Sequence, residues 1–168
     1  MTPALLVDLA LAPLTGWAGT KAMEPVSTWM YDHESPADRE REDAARPGPP
    51  YRIAAQKTAA LLGVELTEAQ LDKVALGFHY GLAISWAPTY ALLRRRTDLK
   101  PVAAALLSGA AMSAIVDEGL TPALGFSAPN RGYPAATHLR GVVAHLAFGL
   151  GVAAATEAAW ALLRRRPI

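Results

Sequence analysis

The chain has 168 residues, of which 52% are hydrophobic and 18% are charged, and its formal net charge is +1. This composition is too apolar for an ordinary soluble domain, and the near-neutral charge argues against a nucleic-acid-binding protein. The sequence contains no cysteine, which excludes disulfide bonds, thiolate metal sites and cysteine nucleophiles.

The chain begins with an apolar stretch that we predict to be a first transmembrane helix. It covers about 3–29 and is interrupted by Pro13 and by three charged residues, Asp8, Lys21 and Glu24. It is the weakest of the predicted spans, because each charged side chain placed in hydrocarbon is costly.

Residues 30–66 are the long hydrophilic stretch of the sequence, which we predict to be a loop outside the membrane. Its part from Ser35 to Pro50 is rich in proline and in mixed charges and has no apolar face to bury. Over Tyr51–Leu62 apolar residues are interleaved with Arg52 and Lys57, which predicts a short helix at the membrane interface that ends at Gly63.

Three further stretches are long enough to cross a bilayer, which takes about 20 helical residues for ~30 Å of hydrocarbon. The second span follows a capping box formed by Thr67 and Gln70, and it carries no charge from Val74 to Leu93. A soluble four-helix bundle would show polar residues recurring along one helix face, and the later stretches show none. The predicted fold is therefore an all-α, single-domain bundle of four transmembrane helices, with the last three spans at about 72–94, 101–120 and 138–163.

The hexapeptide ALLRRR occurs twice, at Ala91–Arg96 and Ala161–Arg166, and each copy closes an apolar stretch. Arginine triplets resist entry into hydrocarbon, so both predict helix ends at the same membrane face, together with the chain termini. The segments predicted on the two sides of the membrane contain equal numbers of lysine and arginine residues, so this count does not determine the orientation. Because the triplets directly adjoin the spans, we expect them on the cytoplasmic side.

The sequence around the triplets indicates a duplication. Gly81–Arg96 aligns with Gly151–Arg166 without a gap, and a weaker alignment places Gly16 over Gly109. Two tandem helical hairpins would produce this pattern, and so would chance similarity between alanine-rich helices.

Each predicted span carries an ionisable residue at a similar depth, roughly 22–28 Å from the charged marker at its other end at 1.5 Å per residue. Such groups are costly inside a membrane and are candidates for function. We predict that they converge on one polar pocket that opens to the outer side. The predicted pocket residues are Glu24, His79, Asp117, Glu118 and His145, with Lys21, His138 and Arg140 in support.

This pocket allows three interpretations. Carboxylates and imidazoles near the interface can simply lock the outer end of the bundle, or they can bind and pass a small ion or a proton. They can also ligate a metal ion or haem b, for which the candidate ligands are His79, His145, Glu24 and Asp117, with glycines 77, 81, 141 and 149 flanking a porphyrin. No catalytic motif occurs, so an enzyme is not expected and no catalytic residue is assigned.

Several short motifs carry a family resemblance: GTKAMEP at Gly19–Pro25, PPY at Pro49–Tyr51, FHYGLA in the second span, GAAMSAIVDEGLTP at Gly109–Pro122 and RGVVAHLAFG in the fourth. In these the chain resembles the YagU-like bacterial inner-membrane proteins. The resemblance implies a multi-pass inner-membrane fold and makes Glu24, His79 and His145 counterparts of family positions. Asp117 stands where the resemblance would place a histidine.

The sequence thus predicts a bacterial inner-membrane protein with cytoplasmic termini, whose pocket binds or conducts a small ion or proton. The alternative is a non-catalytic scaffold or accessory subunit of a larger complex. Because four short helices enclose little volume, the expected partners are the lipid bilayer and either a second copy of the chain or another membrane subunit.

Overall fold

The computed structural model describes residues 2–164, and this part of the chain is helical and contains no strand. The predicted all-α class is confirmed. The helices are α1 (Pro3–Asp32), α2 (Pro36–Ala45), α3 (Pro50–Leu61), α4 (Glu68–Trp86), α5 (Pro88–Arg96), α6 (Pro101–Met112), α7 (Thr121–Ala123) and α8 (Ala135–Arg164). A π-helical segment, Ser113–Leu120, joins α6 to α7, and a short 3-10 turn, Asn130–Gly132, precedes α8.

Helix starts follow local sequence. Proline occupies the first turn of α1, α2, α3, α5 and α6. Its missing N–H is no loss there, since the first N–H groups of a helix have no partner within it. The predicted capping box of α4 is present: Gln70 N–H donates to Thr67 Oγ1, and Thr67 N–H donates to Gln70 Oε1 at 2.9 Å. The predicted helix after the hydrophilic stretch is confirmed as α3, which ends before Gly63 in a left-handed turn (φ 66°).

Two helical segments are long and apolar enough to cross a membrane, Pro101–Ala123 and Ala135–Leu163. They correspond to the third and fourth predicted spans. The second predicted span is divided, because α4 ends at Trp86 and α5 begins at Pro88. The absence of charge from Val74 to Leu93 does not reveal this break, which a proline introduces.

The long helices run antiparallel to their neighbours and approach closely at glycines. A Cβ on Gly149 of α8 would overlap the Ala105 carbonyl of α6, and one on Gly109 would overlap the His145 carbonyl. Between α1 and α4, Gly16 lies against the Ala83 backbone in the same way. Glycine at these positions therefore allows the helix backbones to approach closely.

The two hairpins pack in different registers. If the aligned halves were equivalent, Gly109 would meet Ala153, the counterpart of the Ala83 that faces Gly16. Gly109 instead faces His145 and Leu146, about two helical turns away. The internal sequence similarity is not matched by equivalent helix contacts.

Charged pairs join the helices at the end where ALLRRR first occurs. Asp8 of α1 is held by Arg95, at 2.5 and 2.9 Å, and accepts a hydrogen bond from Trp160 Nε1 at 2.9 Å. Glu157 accepts from the hydroxyl of the buried Tyr90 and from Arg94 Nε, both at 2.9 Å. Glu157 thus bonds α8 to α5. Arg165 and Arg166 of the second triplet lie outside the described residues.

At the opposite end of the helices, the structure differs from the loop without buried residues that we predicted over Ser35–Pro50. Residues 36–45 form α2, and the Glu42 side chain is 0% exposed. Arg140 of α8 donates to both Glu42 oxygens at 2.6 Å, and Thr137 donates to Oε2 at 2.6 Å. A charged segment can dock without an apolar face when a buried counter-charge receives it.

Candidate functional site

A cavity of about 370 Å³ lies between α4 and the π-helical segment, with α1 and α8 beneath it and α3 beside it. On one flank α4 meets α6, where Trp86 Nε1 donates to the Ser108 carbonyl at 3.1 Å. The lining is largely aliphatic and aromatic, and its polar members are Thr20, His79, Asp117, Thr121 and His145.

Asp117 and His145 form the polar end of the cavity. His145 Nδ1 is 3.0 Å from Asp117 Oδ2 and 2.8 Å from the Gly141 carbonyl oxygen. Both neighbours are acceptors, so Nδ1 carries a hydrogen. The other ring nitrogen, Nε2, makes no hydrogen bond within the described residues and is an acceptor in the neutral imidazole.

The π-helical segment determines where Asp117 points. A π-helix has a wider turn than an α-helix, is rare, and often marks a functional site. The sequence contains a cause for this irregularity, since Pro122 cannot donate to the Glu118 carbonyl four residues earlier. That carbonyl accepts instead from Asn130 Nδ2 at 2.9 Å. Sequence reasoning missed the segment, although Pro122 so soon after Gly119 was an available signal.

Glu118 does not belong to the cavity. It lies 2.7 Å from His138 Nδ1, while His138 Nε2 is 3.1 Å from the Asn130 carbonyl oxygen. Both nitrogens of His138 are therefore engaged away from the cavity lining. The prediction that Glu118 lines the pocket, with His138 in support, is corrected by this geometry.

Glu24 and Lys21 lie at the rim. Lys21 Nζ is 2.6 Å from Glu24 Oε2, and Glu24 Oε1 is 4.0 Å from His79 Nε2. His79 itself lines the cavity, with its ring centroid 5.1 Å from that of Tyr51. Of the predicted pocket residues, His79, Asp117 and His145 share the cavity, and Glu24 approaches it through His79.

Arg140 belongs to the α2 contact and not to the cavity. It is buried, donates to Glu34 as well as to Glu42 at 2.6 Å, and lies over the Tyr31 ring at 5.0 Å. We had expected Arg140 to support the pocket, because it is a basic residue at the edge of a predicted span. Its observed role is to hold the segment that follows α1 against α8.

The predicted metal site is not assembled. Residues 2–164 contain no group of three or more histidine, aspartate or glutamate side chains placed to hold a metal ion. The glycines expected beside a porphyrin are also dispersed, because Gly149 packs on α6 while Gly77 and Gly81 have no neighbour within 4 Å.

α3 forms one wall of the cavity. Pro50, Tyr51 and Ala54 line it, and Arg52 on the same helix binds Glu68 and Asp72 of α4. Hydrogen bonding to Glu68 raises the pKa of Arg52 above its usual value.

Searches among protein-family models, curated proteins and solved structures found no match.

Proposed function

We propose that the chain is a four-span membrane protein that binds a small, mostly apolar molecule in the cavity, with Asp117 and His145 holding its polar group. The observation behind this proposal is the composition of the lining. A concave site with apolar walls and a few convergent polar groups is typical of small-molecule binding. Seven helical segments contribute to it, so the site is built by the fold as a whole.

The exposed surface supports insertion of all four long helices. Besides the two apolar segments, α1 exposes Leu6, Leu14 and Trp17, and α4 exposes Leu76 and Leu82. Large apolar side chains concentrated on outward helix surfaces indicate contact with lipid or with another protein. These exposed apolar side chains support α1 and α4 as membrane spans, although α1 carries charged residues and α4 is separated from α5 by a helix break.

Charged residues of α8 supply a second argument. Arg140 and Glu157 are each held by ion pairs, and 17 residues separate them, which is roughly 26 Å along a helix. This separation approximates the thickness of membrane hydrocarbon. The arginine-rich end is proposed as cytoplasmic and the cavity as nearer the outer face of a bacterial inner membrane, following the positive-inside rule and the resemblance above.

Binding fits this cavity better than conduction of a small inorganic ion. A conduction path needs polar groups in sequence across the membrane, whereas the lining of this cavity is mostly apolar. The Asp117 carboxylate and the imidazoles of His79 and His145 are suited to orienting one polar group. The walls of the cavity accommodate an attached hydrocarbon.

Two measurements test the proposal on the full-length protein. Membranes carrying it are washed with alkaline carbonate, and we expect the chain to stay in the membrane fraction; release into the wash would overturn the membrane assignment. Protein purified in mild detergent is then extracted with organic solvent for mass spectrometry. We expect a co-purified small molecule that is lost in Asp117→Asn and retained in Glu118→Gln, because only Asp117 lines the cavity. Equal retention in both variants would contradict the assigned site.

A further inference from the structure

We infer that the ligand of the cavity is an organic cation, an apolar molecule that carries an ammonium group. This inference rests on the proposed function and names the ligand class for that site. The juxtaposition that carries it is the Asp117 carboxylate in a chamber that has aromatic walls and whose described lining contains no lysine or arginine.

Two polar groups of the lining are hydrogen-bond acceptors toward a ligand. Thr20 donates its hydroxyl hydrogen to the Gly16 carbonyl at 3.1 Å, so its oxygen can only accept from a ligand. The Asp117 carboxylate accepts as well, and the Nδ1 hydrogen of His145, which faces Asp117 and Gly141, helps to hold it in place. A ligand that satisfies Thr20 and Asp117 must be a donor.

The charge distribution favours a positive ligand over a neutral one. Apart from the two imidazoles, Asp117 is the formally charged residue of the lining. Nearby cations are engaged elsewhere: Lys21 is paired with Glu24 at 2.6 Å, and Lys57 donates to the Leu124 carbonyl at 3.0 Å. An anionic ligand such as a fatty acid would therefore meet the Asp117 carboxylate with no lysine or arginine in the lining to offset the repulsion.

The walls supply the second element of cation recognition. The rings of Tyr51, Phe78, Phe126 and Phe148 line the cavity together with His79. Aromatic faces attract cations through their quadrupole, most strongly where water is excluded. Phe126 shows this preference at the rim, where Lys57 Nζ lies 5.9 Å from its ring centroid. The volume of about 370 Å³ suits an organic molecule and far exceeds the needs of a bare metal ion.

Three probes with one skeleton test the inference: 4-phenylbutylamine, 4-phenylbutanol and 4-phenylbutyrate, titrated into purified protein in nanodiscs near pH 7 by calorimetry. We expect the ammonium to bind at least about tenfold more tightly than the alcohol, because only the cation gains the carboxylate and the ring faces. We expect the carboxylate to bind weakest. Asp117→Asn should remove the preference for the ammonium, and Glu118→Gln should leave it unchanged.

A second variant separates this inference from the proposed function. Ala54→Leu adds bulk to the cavity wall and should weaken all three probes, whereas Ala60→Leu on the exposed side of α3 should weaken none. If the alcohol binds as tightly as the ammonium and Ala54→Leu weakens both, the cavity binds ligands but the cation assignment is wrong. If no probe responds to Ala54→Leu, the proposed function fails as well. The comparison of probes on the unmodified chain decides the ligand class even if Asp117→Asn does not fold.

Discussion

Asp117 and Glu118 are neighbours in the chain, yet their carboxylates bind histidines on different sides of the helix: Asp117 lies 3.0 Å from His145 Nδ1 and Glu118 lies 2.7 Å from His138 Nδ1. The two histidines are seven residues apart on α8. The π-helical segment thus aims one acid into the cavity and the other at the loop before α8. This separation makes Glu118 a matched control for any experiment on Asp117.

The glycines of the helix contacts give a stability prediction. Gly149→Ala should lower the free energy of unfolding by about 2–3 kcal/mol, because its Cβ would overlap the Ala105 carbonyl and the backbones would have to separate. Gly77→Ala is the control, since nothing lies within 4 Å of a Cβ there. It should leave stability unchanged or raise it by up to ~1 kcal/mol through helix propensity. Thermal unfolding in detergent, followed by circular dichroism, measures both, and equal losses would contradict the packing described.

The helix content could be predicted from sequence. Long apolar runs report local preferences, and these were sufficient for α6 and α8. The capping box of α4 could also be predicted, because Thr67 and Gln70 form reciprocal hydrogen bonds within one turn of the helix. Such features depend on residues close together in the chain.

Which ionisable residues line the cavity could not be predicted in the same way. Counting residues along straight helices places ionisable groups at one depth but says nothing of the direction in which each side chain points. A π-helical turn rotates the residues that follow it, so Asp117 and Glu118 are separated by backbone geometry. Glu42 was overlooked because its partner Arg140 is 98 residues away in sequence.

The Glu42 and Arg140 pair predicts how α2 is held. Glu42→Gln leaves the buried Arg140 with a single carboxylate partner, Glu34, and breaking a buried ion pair costs about 3–5 kcal/mol. We expect faster hydrogen exchange across 36–45 with little change in α6. Glu40→Gln, on the exposed side of α2, is the matched control and should exchange like the unmodified protein. Unchanged exchange in Glu42→Gln would show that other contacts hold α2.

The contact between Asp8, Arg95 and Trp160 predicts the stability of the other end. The Asp8 side chain is 2% exposed and accepts from both partners, whereas Arg95 is 38% exposed. Asp8→Asn should lower the free energy of unfolding by about 2 kcal/mol, less than for a fully buried pair because solvent screens Arg95. Asp98→Asn, at an exposed position of the next connector, should change it by less than about 0.5 kcal/mol. Chemical denaturation in detergent compares the two, and equal effects would contradict a stabilising role for Asp8.

The absence of cysteine from the sequence makes the membrane topology directly testable. Single cysteines at Glu40 on α2 and at Asp98 between α5 and α6 occupy exposed positions at opposite ends of the helices. If the ALLRRR end faces the cytoplasm, a membrane-impermeant maleimide should label Glu40→Cys in intact spheroplasts and should label Asp98→Cys only after permeabilisation. The opposite pattern would invert the orientation and place the cavity nearer the cytoplasm. Labelling of both positions in intact spheroplasts would contradict a bundle that separates them by a bilayer, because the two ends could then not lie on different sides of the membrane.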